Sequence, residues 1–443
     1  MKMQKVTLTL LSAVLSVGMI AGCGNSTNGS ATKSSNAPAT DAPKKETATL
    51  TMWGGVPAES GPQAVVDAWN AKHPETQVKY ERFVNDDAGN LKLDTALSVN
   101  QGVDLFVNYQ LPILNRRVDA GYALDLSEFK EYNIDDKMGK DAASWKIKEK
   151  YYGMPTKKNI SFVWMNKNML DAAGLQMPAL DWTLQDMTQY AAKLKADKRW
   201  GFVQHTAGYS NIMDGVSAGI GFTKADGTSN LDNADLKPAY EGFFNMMHTD
   251  KSMPPLGEQL TSKMPVDTMF LKGESAMLGA GEFVFRSAND LKTNPRSFKI
   301  AFATIPKASK DSKDYKYAGG LGDVISINAK SKYKQQAWEF LKWYADGGMM
   351  PLAAGGRIPS SKDVNPDEAI KLLLGANEAT YDIDSLKKVV FGKFPTQVIS
   401  LPSQVVDARR EEYEKYFLKN QSLDVTLGAT SKRHNEFLKQ NKK

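Results

Sequence analysis

Beyond residue 46 the hydrophobic and polar positions fall into blocks of two alternating periods. "TATLTMW" (47–53) alternates with period two and is rich in Thr and Leu, which predicts a strand. "GPQAVVDAWNAKHP" (61–74) switches to helical spacing, with Pro62 near the helix start and Val65, Ala68 and Trp69 on one face. "QVKYERF" (77–83) is the next strand, "NLKLDTALSVNQG" (90–102) a helix ending at glycine, and "VDLFVN" (103–108) a third strand. Strands alternating with helices predict βαβ units, so the fold class is α/β: a mostly parallel sheet with helices on both faces.

The pattern then restarts. "YYGMPT" and "NISFVWMNKNML" are apolar extended segments joined at Lys157-Lys158. "WTLQDMTQYAAKLKAD" (182–197) is a strong helix, with Leu184, Met187, Ala191 and Leu194 along one face. Thr183 and Asp186 stand at capping-box spacing at its start. The stretch from 200 to 295 is helix-rich, in "SNIMDGVSAGI", "DLKPAYEGFFNMMH" and "PVDTMFLKG". "FKIAFATIP" (298–306) and "GDVISINA" (322–329) return to the strand pattern, "YKQQAWEFLKWYAD" (333–346) is an amphipathic helix, and the tail beyond Asn365 reads mainly helical.

The N-terminal segment differs in kind. Lys2 and Lys5 precede an apolar run from Val6 to Ile20, and Ala21-Gly22 lead to Cys23, the only cysteine. This is the layout of a secretory signal, and the run is shorter than the roughly 20 residues that a membrane span needs. "IAGC" resembles a bacterial lipobox, which implies a lipoprotein signal peptide over 1–22 and a diacylglycerol on Cys23. An uncleaved signal anchor is the alternative. Residues 24–46, "GNSTNGSATKSSNAPATDAPKKE", have almost nothing to bury and read as a disordered tether. The net charge of +6, about +4 without Lys2 and Lys5, is mild for the length, and no basic stripe of the nucleic-acid-binding kind occurs.

Catalytic motifs are mostly missing. There is no Gly-x-Ser-x-Gly elbow, no Walker loop and no His-Glu-x-x-His, and the four histidines show no metal-ligand pairing. "DGTSNLDN" (226–233) lacks the register of an EF-hand loop. What recurs instead is an aromatic residue beside glycine or amides at strand ends. Trp53 precedes Gly54-Gly55, Asn108-Tyr109-Gln110 follow "VDLFV", Gly281-Glu282-Phe283 follow "SAMLGA", and "YAGGLGD" carries Gly320 and Asp323. In open α/β sheets ligands sit outside the carboxyl ends of strands. Flat rings there can stack on the C–H face of a sugar, while amides and carboxylates take its hydroxyls. Each has a plainer reading: Trp53 and Phe283 could be core, and Tyr109 could cap the sheet.

The chain resembles the extracellular solute-binding proteins of ABC transporters, the maltose-binding-like carbohydrate family. The resemblance is carried by "TLTMWGG", "GVDLFVN", "GYALDLSEF", "YYGMPTKKNISFVWMNKNMLDAAGL", "DWTLQDMTQYAAKL", "FLKGESAMLGAGEFVF", "FATIPKA" and "YAGGLGDVISINAKSKYKQQAWEFLKWYADGG", in family order from about 48 to 360. It implies a two-lobed, periplasmic-binding-protein-like fold of class II, each lobe a mixed, mostly parallel sheet flanked by helices, with the ligand cleft between lobes. Lobe 1 would hold 47–156, completed by about 307–346, and lobe 2 would hold 157–306, completed by about 347–443. The crossings would fall near Thr156–Asn159, Ala303–Pro306 and Asp346–Met350. The family often has a tryptophan where Glu282-Phe283 stand here, so plain maltodextrin specificity is not implied. Lys157, Lys158 and Arg357 could pair with a carboxylate on the solute, or bind sugar hydroxyls, and Asn159 falls at the first crossing. The implied partners are a carbohydrate, the transmembrane subunits of a permease and the membrane holding the lipid anchor on its extracytoplasmic face. No cofactor, metal, nucleic acid or enzymatic activity is implied, and the chain would be a monomer. An exported glycan-active enzyme and a surface adhesin are the alternative classes.

Overall fold

β1 (Ala48–Gly54) lies between β2 (Thr76–Arg82) and β3 (Leu105–Asn108), parallel to both. The structure is a computed structural model and describes residues 47–441 except 313, 393, 395 and 398–400. The expected leader, Cys23 and the tether lie outside the described residues.

The crossover from β1 to β2 is the helix Pro62–Asn70, with Pro62 in its first turn, where a missing N–H costs nothing. Its buried face is Val65, Val66 and Trp69, while Ala68 is exposed. The indole of Trp69 donates to the Thr76 carbonyl at 2.8 Å, which fixes the helix end against the start of β2. The helix Asp87–Ser98 returns to β3 and is capped by Asp86, whose carboxylate accepts the Gly89 N–H at 2.8 Å.

The two apolar segments expected around Lys157-Lys158 form one unbroken strand, β4 (Met154–Asn166). Its first half pairs with β8 (Tyr317–Ile327), and β8 pairs with β3, completing a first sheet in the order β2-β1-β3-β8-β4. Its second half lies between β6 (Ser275–Gly281) and β7 (Ile300–Thr304), with β5 (Trp200–Gln204) parallel to β6, as a second sheet. A short β9 (Thr396–Gln397) pairs with the start of β8. Among the described residues every antiparallel strand pair involves β4 or β8, the two long strands, including that of the edge strand β7, while β1 with β2, β1 with β3 and β5 with β6 pair in parallel. The sheets are therefore mixed because β4 runs antiparallel through both and β8 runs antiparallel beside it in the first.

Each sheet has its own core. Leu50, Phe106, Ile325, Trp338 and Leu341 belong to a cluster around the first. The second sheet is covered on both faces, and the pleat of β4 sorts its side chains between them: Val163 and Met165 enter one cluster, Phe162 and Trp164 the other. All four are 0% exposed, and full burial of such a side chain contributes about 1.5–3 kcal/mol each. The helix Leu184–Leu194 buries the face read from the sequence, and Thr183 and Asp186 make the reciprocal capping box. Tyr413, Phe417 and Leu427, from the C-terminal helices Ser403–Phe417 and Leu423–Gln440, pack into the second sheet's core.

Where β4 and β8 cross from one sheet to the other, backbone comes close to backbone. Gly319 has φ +141°, and a Cβ there would stand 2.3 Å from the Asn159 carbonyl oxygen. Only glycine fits that approach.

Candidate functional site

A cleft of about 470 Å³ opens at this crossing. Tyr109 and Gln110 reach it from the residues just after β3, and Asn159, Ser161 and Gly319 form its floor on the crossing strands. Ser210, Asn211 and Asp214 line the opposite wall, on the first turns of the helix Ser210–Ile220, and Asp407 joins them from the helix Ser403–Phe417. The cleft is thus walled by elements belonging to different sheets, with polar side chains on both sides.

Tyr109 is the aromatic ring of the first wall. Its hydroxyl accepts the Gly55 N–H at 2.6 Å, and its ring is tilted against Phe83 with centroids 6.3 Å apart. Burial, reinforced by the Asp323 carboxylate, pushes its hydroxyl well above the usual phenol range, so it is a fixed neutral group. Trp145 also lines the cleft, held by its indole N–H donating to the Leu321 carbonyl at 2.8 Å. Phe283 is 44% exposed and lies 5.7 Å, centroid to centroid, from the His205 ring. The His205 Nε2 is in turn 2.8 Å from Asp267, so both rings stand fixed beyond the ends of β5 and β6.

Several expected contact residues are used within the protein. Trp53 is 7% exposed and packed in the first core, with the Lys92 ammonium 5.2 Å above its ring. Gly54 and Gly55 leave room, but tyrosines fill it: a Cβ on Gly54 would stand 2.7 Å from the Tyr80 hydroxyl, and one on Gly55 3.0 Å from that of Tyr109. Asn108 is fully buried. It donates to the Val324 carbonyl at 3.1 Å and to Ser326 at 2.9 Å, and accepts from Arg117 at 2.8 Å, which leaves no side-chain hydrogen for a solute. Gly320 lines a second cavity, of about 320 Å³, with Lys158, Ile160 and Tyr317.

The expected charged residues pair with one another. The Lys157 ammonium is bonded to Glu282, both nearly buried. Arg357 Nε donates to the Asp323 carboxylate at 3.2 Å. Burial of the Arg357 guanidinium works against its charge, but Asp323, then Tyr109 and Glu282, outweigh it and hold its pKa above the usual value. Asp323 itself has φ +45°, a strained setting for a non-glycine residue that this ion pair helps to hold.

Sequence reasoning missed Trp145, Ser161, Ser210, Asn211, Asp214 and Asp407. One signal was available: Asp214 sits among Ile212, Met213 and Val216 on a helix that had to be buried, and a carboxylate there needs a partner. That partner is Arg409, whose Nη2 donates to Asp214 Oδ1 at 2.6 Å. Among the described residues no group of three or more His, Cys, Asp or Glu is placed to hold a metal ion.

A mixed two-sheet fold joined by crossing strands, with a polar cleft at the join, is the architecture of a solute-binding protein. Residues 54–347 match the model of the bacterial extracellular solute-binding protein family, and the chain belongs to that family. A binding protein of Brucella abortus (strain 2308) is 24% identical over 300 residues, covering 64% of this chain and 68% of its own. Among solved structures, a sugar transporter from Rhizobium etli in an open conformation superposes with a TM-score of 0.71 at 21% identity, covering 87% of this chain and 98% of that one. An ABC substrate-binding protein from Listeria monocytogenes in complex with cycloalternan gives 0.69 at 18% identity, covering 89% and 100%. The fold is the two-lobed α/β fold of these proteins.

Proposed function

We propose that this protein is the substrate-binding lipoprotein of an ABC importer and captures an uncharged sugar or oligosaccharide in the cleft between its lobes. The observation that carries the reading is the cleft itself: a fixed Tyr109 ring on one wall faces Ser210, Asn211 and Asp214 on the other, which suits the apolar face and hydroxyl edge of a sugar. The Rhizobium etli protein is a sugar transporter, and the Listeria protein is in complex with cycloalternan. Pairing of Lys157 with Glu282 and of Arg357 with Asp323 favours a neutral solute over an acidic one, because neither cation is left to meet a carboxylate.

In this reading lobe 1 is the body around the first sheet and lobe 2 the body around the second. The second crossing is taken at Tyr317–Leu321 instead of Ala303–Pro306, which is supported by Ile305, Ala308 and Tyr315 packing in the second core and Leu321 in the first. The third is taken between Leu352, which packs in the first core, and Ile358, which packs in a cluster on the second sheet. Rotation about these strands closes the lobes on the solute, which shifts the equilibrium by its extra affinity for the closed form. The loaded form docks as a monomer on the permease, and a lipid on Cys23 holds the protein at the extracytoplasmic face of the membrane.

A thermal-shift screen of maltose, raffinose, cycloalternan and tagatose, with glucuronate as the acidic control, tests the reading. A neutral sugar that stabilises the protein and is recovered unchanged supports it. Conversion of the sugar to product would make the protein an enzyme instead.

A further inference from the structure

The Asp214–Arg409 pair is the most deeply buried ion pair in contact with the cleft. Each side chain is 3% exposed, and they join the helix carrying Ser210, Asn211 and Asp214 to the helix carrying Asp407. Among the described residues Arg409 makes that one bond and leaves Nε and Nη1 buried with no hydrogen-bond partner. A guanidinium held this way is a poor device for stability, since a well-packed apolar pair of the same volume is commonly as stable or more so. What the arrangement does provide is a fixed partner for Asp214.

We propose that Arg409 is a positioning residue for solute capture: it fixes Asp214 at the cleft wall as a charged acceptor for a solute hydroxyl, without touching the solute itself. Arg409 binds Oδ1, and in this proposal the other oxygen, Oδ2, accepts the solute hydroxyl. This rests on the function proposed above. Burial raises the carboxyl pKa of Asp214, and Arg409, followed by the Ser210 hydroxyl, opposes the rise. Around the pair stand Tyr240 from the helix Lys237–His248, Tyr315 ahead of β8, and Asp407 and Tyr413 on the helix of Arg409. His434, on the last helix, faces Arg409.

The test compares wild type, Arg409→Met, Arg409→Lys and the double variant Asp214→Asn/Arg409→Met. Each is titrated from pH 4.5 to 8.5 with whichever of maltose, raffinose, cycloalternan and tagatose gives wild type the largest thermal shift. Arg409→Met should bind at least about tenfold more weakly at pH 7, and the midpoint of its affinity loss on acidification should move up by about one pH unit or more. Arg409→Lys, which keeps the charge, should restore the wild-type midpoint. The double variant should bind weakly at every pH. A wild-type affinity and midpoint in Arg409→Met would overturn the proposal. So would a double variant that keeps the Arg409→Met profile, because the titrating group would then be His434. If no sugar binds wild type, the proposed function fails, and carboxyl ¹³C NMR of Asp214 still decides the positioning claim. A midpoint that rises in Arg409→Met supports it, and one that stays put refutes it.

Discussion

The Lys157 ammonium and the Glu282 carboxylate form an ion pair whose side chains are only 7% and 6% exposed. Lys157 lies on β4 where that strand leaves the first sheet, and Glu282 follows the last residue of β6 in the second. The bond therefore ties the crossing strand to the end of β6, beside Phe283. Removing one partner strands a buried charge. Lys157→Met or Glu282→Gln should each cost about 3–5 kcal/mol in denaturant unfolding, and the double variant Lys157→Met/Glu282→Leu less than either. Equal losses in all three would show that the pair is a bystander.

Tyr109 and Trp53 are both aromatic residues near strand ends, and the structure separates their roles. Tyr109→Ala should weaken sugar binding of the folded protein about tenfold, because its ring lines the cleft, and should also cost stability, because the ring packs on the first core and its hydroxyl holds the Gly55 N–H. Trp53→Ala should instead destabilise the fold by about 3–5 kcal/mol and leave the affinity of the folded protein nearly unchanged. Calorimetric titration and thermal melts on both variants read the two effects apart.

Gly319 is the point where β8 can least accept a side chain. Gly319→Ala brings a Cβ to 2.3 Å from the Asn159 carbonyl oxygen at φ +141°. The expected loss is about 1–3 kcal/mol, with the β4–β8 amides exchanging hydrogen faster than those of β1 and β2. Gly102, with φ +66° and nothing near its Cβ, is the control and should lose less.

His434 sets a pH dependence of stability. Burial, and then the Arg409 charge, lower its pKa below the ordinary 6.5, and its Nδ1 lies 2.9 Å from the Ser229 hydroxyl. Between the lowered folded value and 6.5 the unfolded chain binds more protons than the folded one. Stability should therefore be complete above pH 6.5 and decline as the pH falls through that window. Asp214, whose pKa is raised by burial, acts in the opposite direction from 3.8 upward, stabilising the fold as the pH falls through its folded pKa. Melting temperatures from pH 8 to 5 should fall for wild type and flatten for His434→Gln.

Much of this was legible in the chain. Period and capping gave the helix Leu184–Leu194 its buried face, because four apolar residues on one stripe leave it a single way to pack. The strand ends at Asn108 and Gly281 were also readable, and they do flank the cleft region. The unbroken run of β4 was not, since Lys157 and Lys158 break the apolar pattern and the burial of Lys157 depends on Glu282, far away in sequence. For the same reason the roles of Trp53 and Asn108 were hidden. An indole can pack under a lysine, and an amide can be consumed by Arg117, only once the tertiary fold brings them together. The wall formed by Asn211, Asp214 and Asp407 had no local motif, because it joins two helices almost 200 residues apart.

The most direct test is a crystal structure of the protein with the sugar that stabilises it most. The account predicts one intact sugar touching Tyr109 or Gln110 on one wall and Ser210, Asn211 or Asp214 on the other at the same time. A sugar bound to a single wall, or seated outside this cleft, would contradict it.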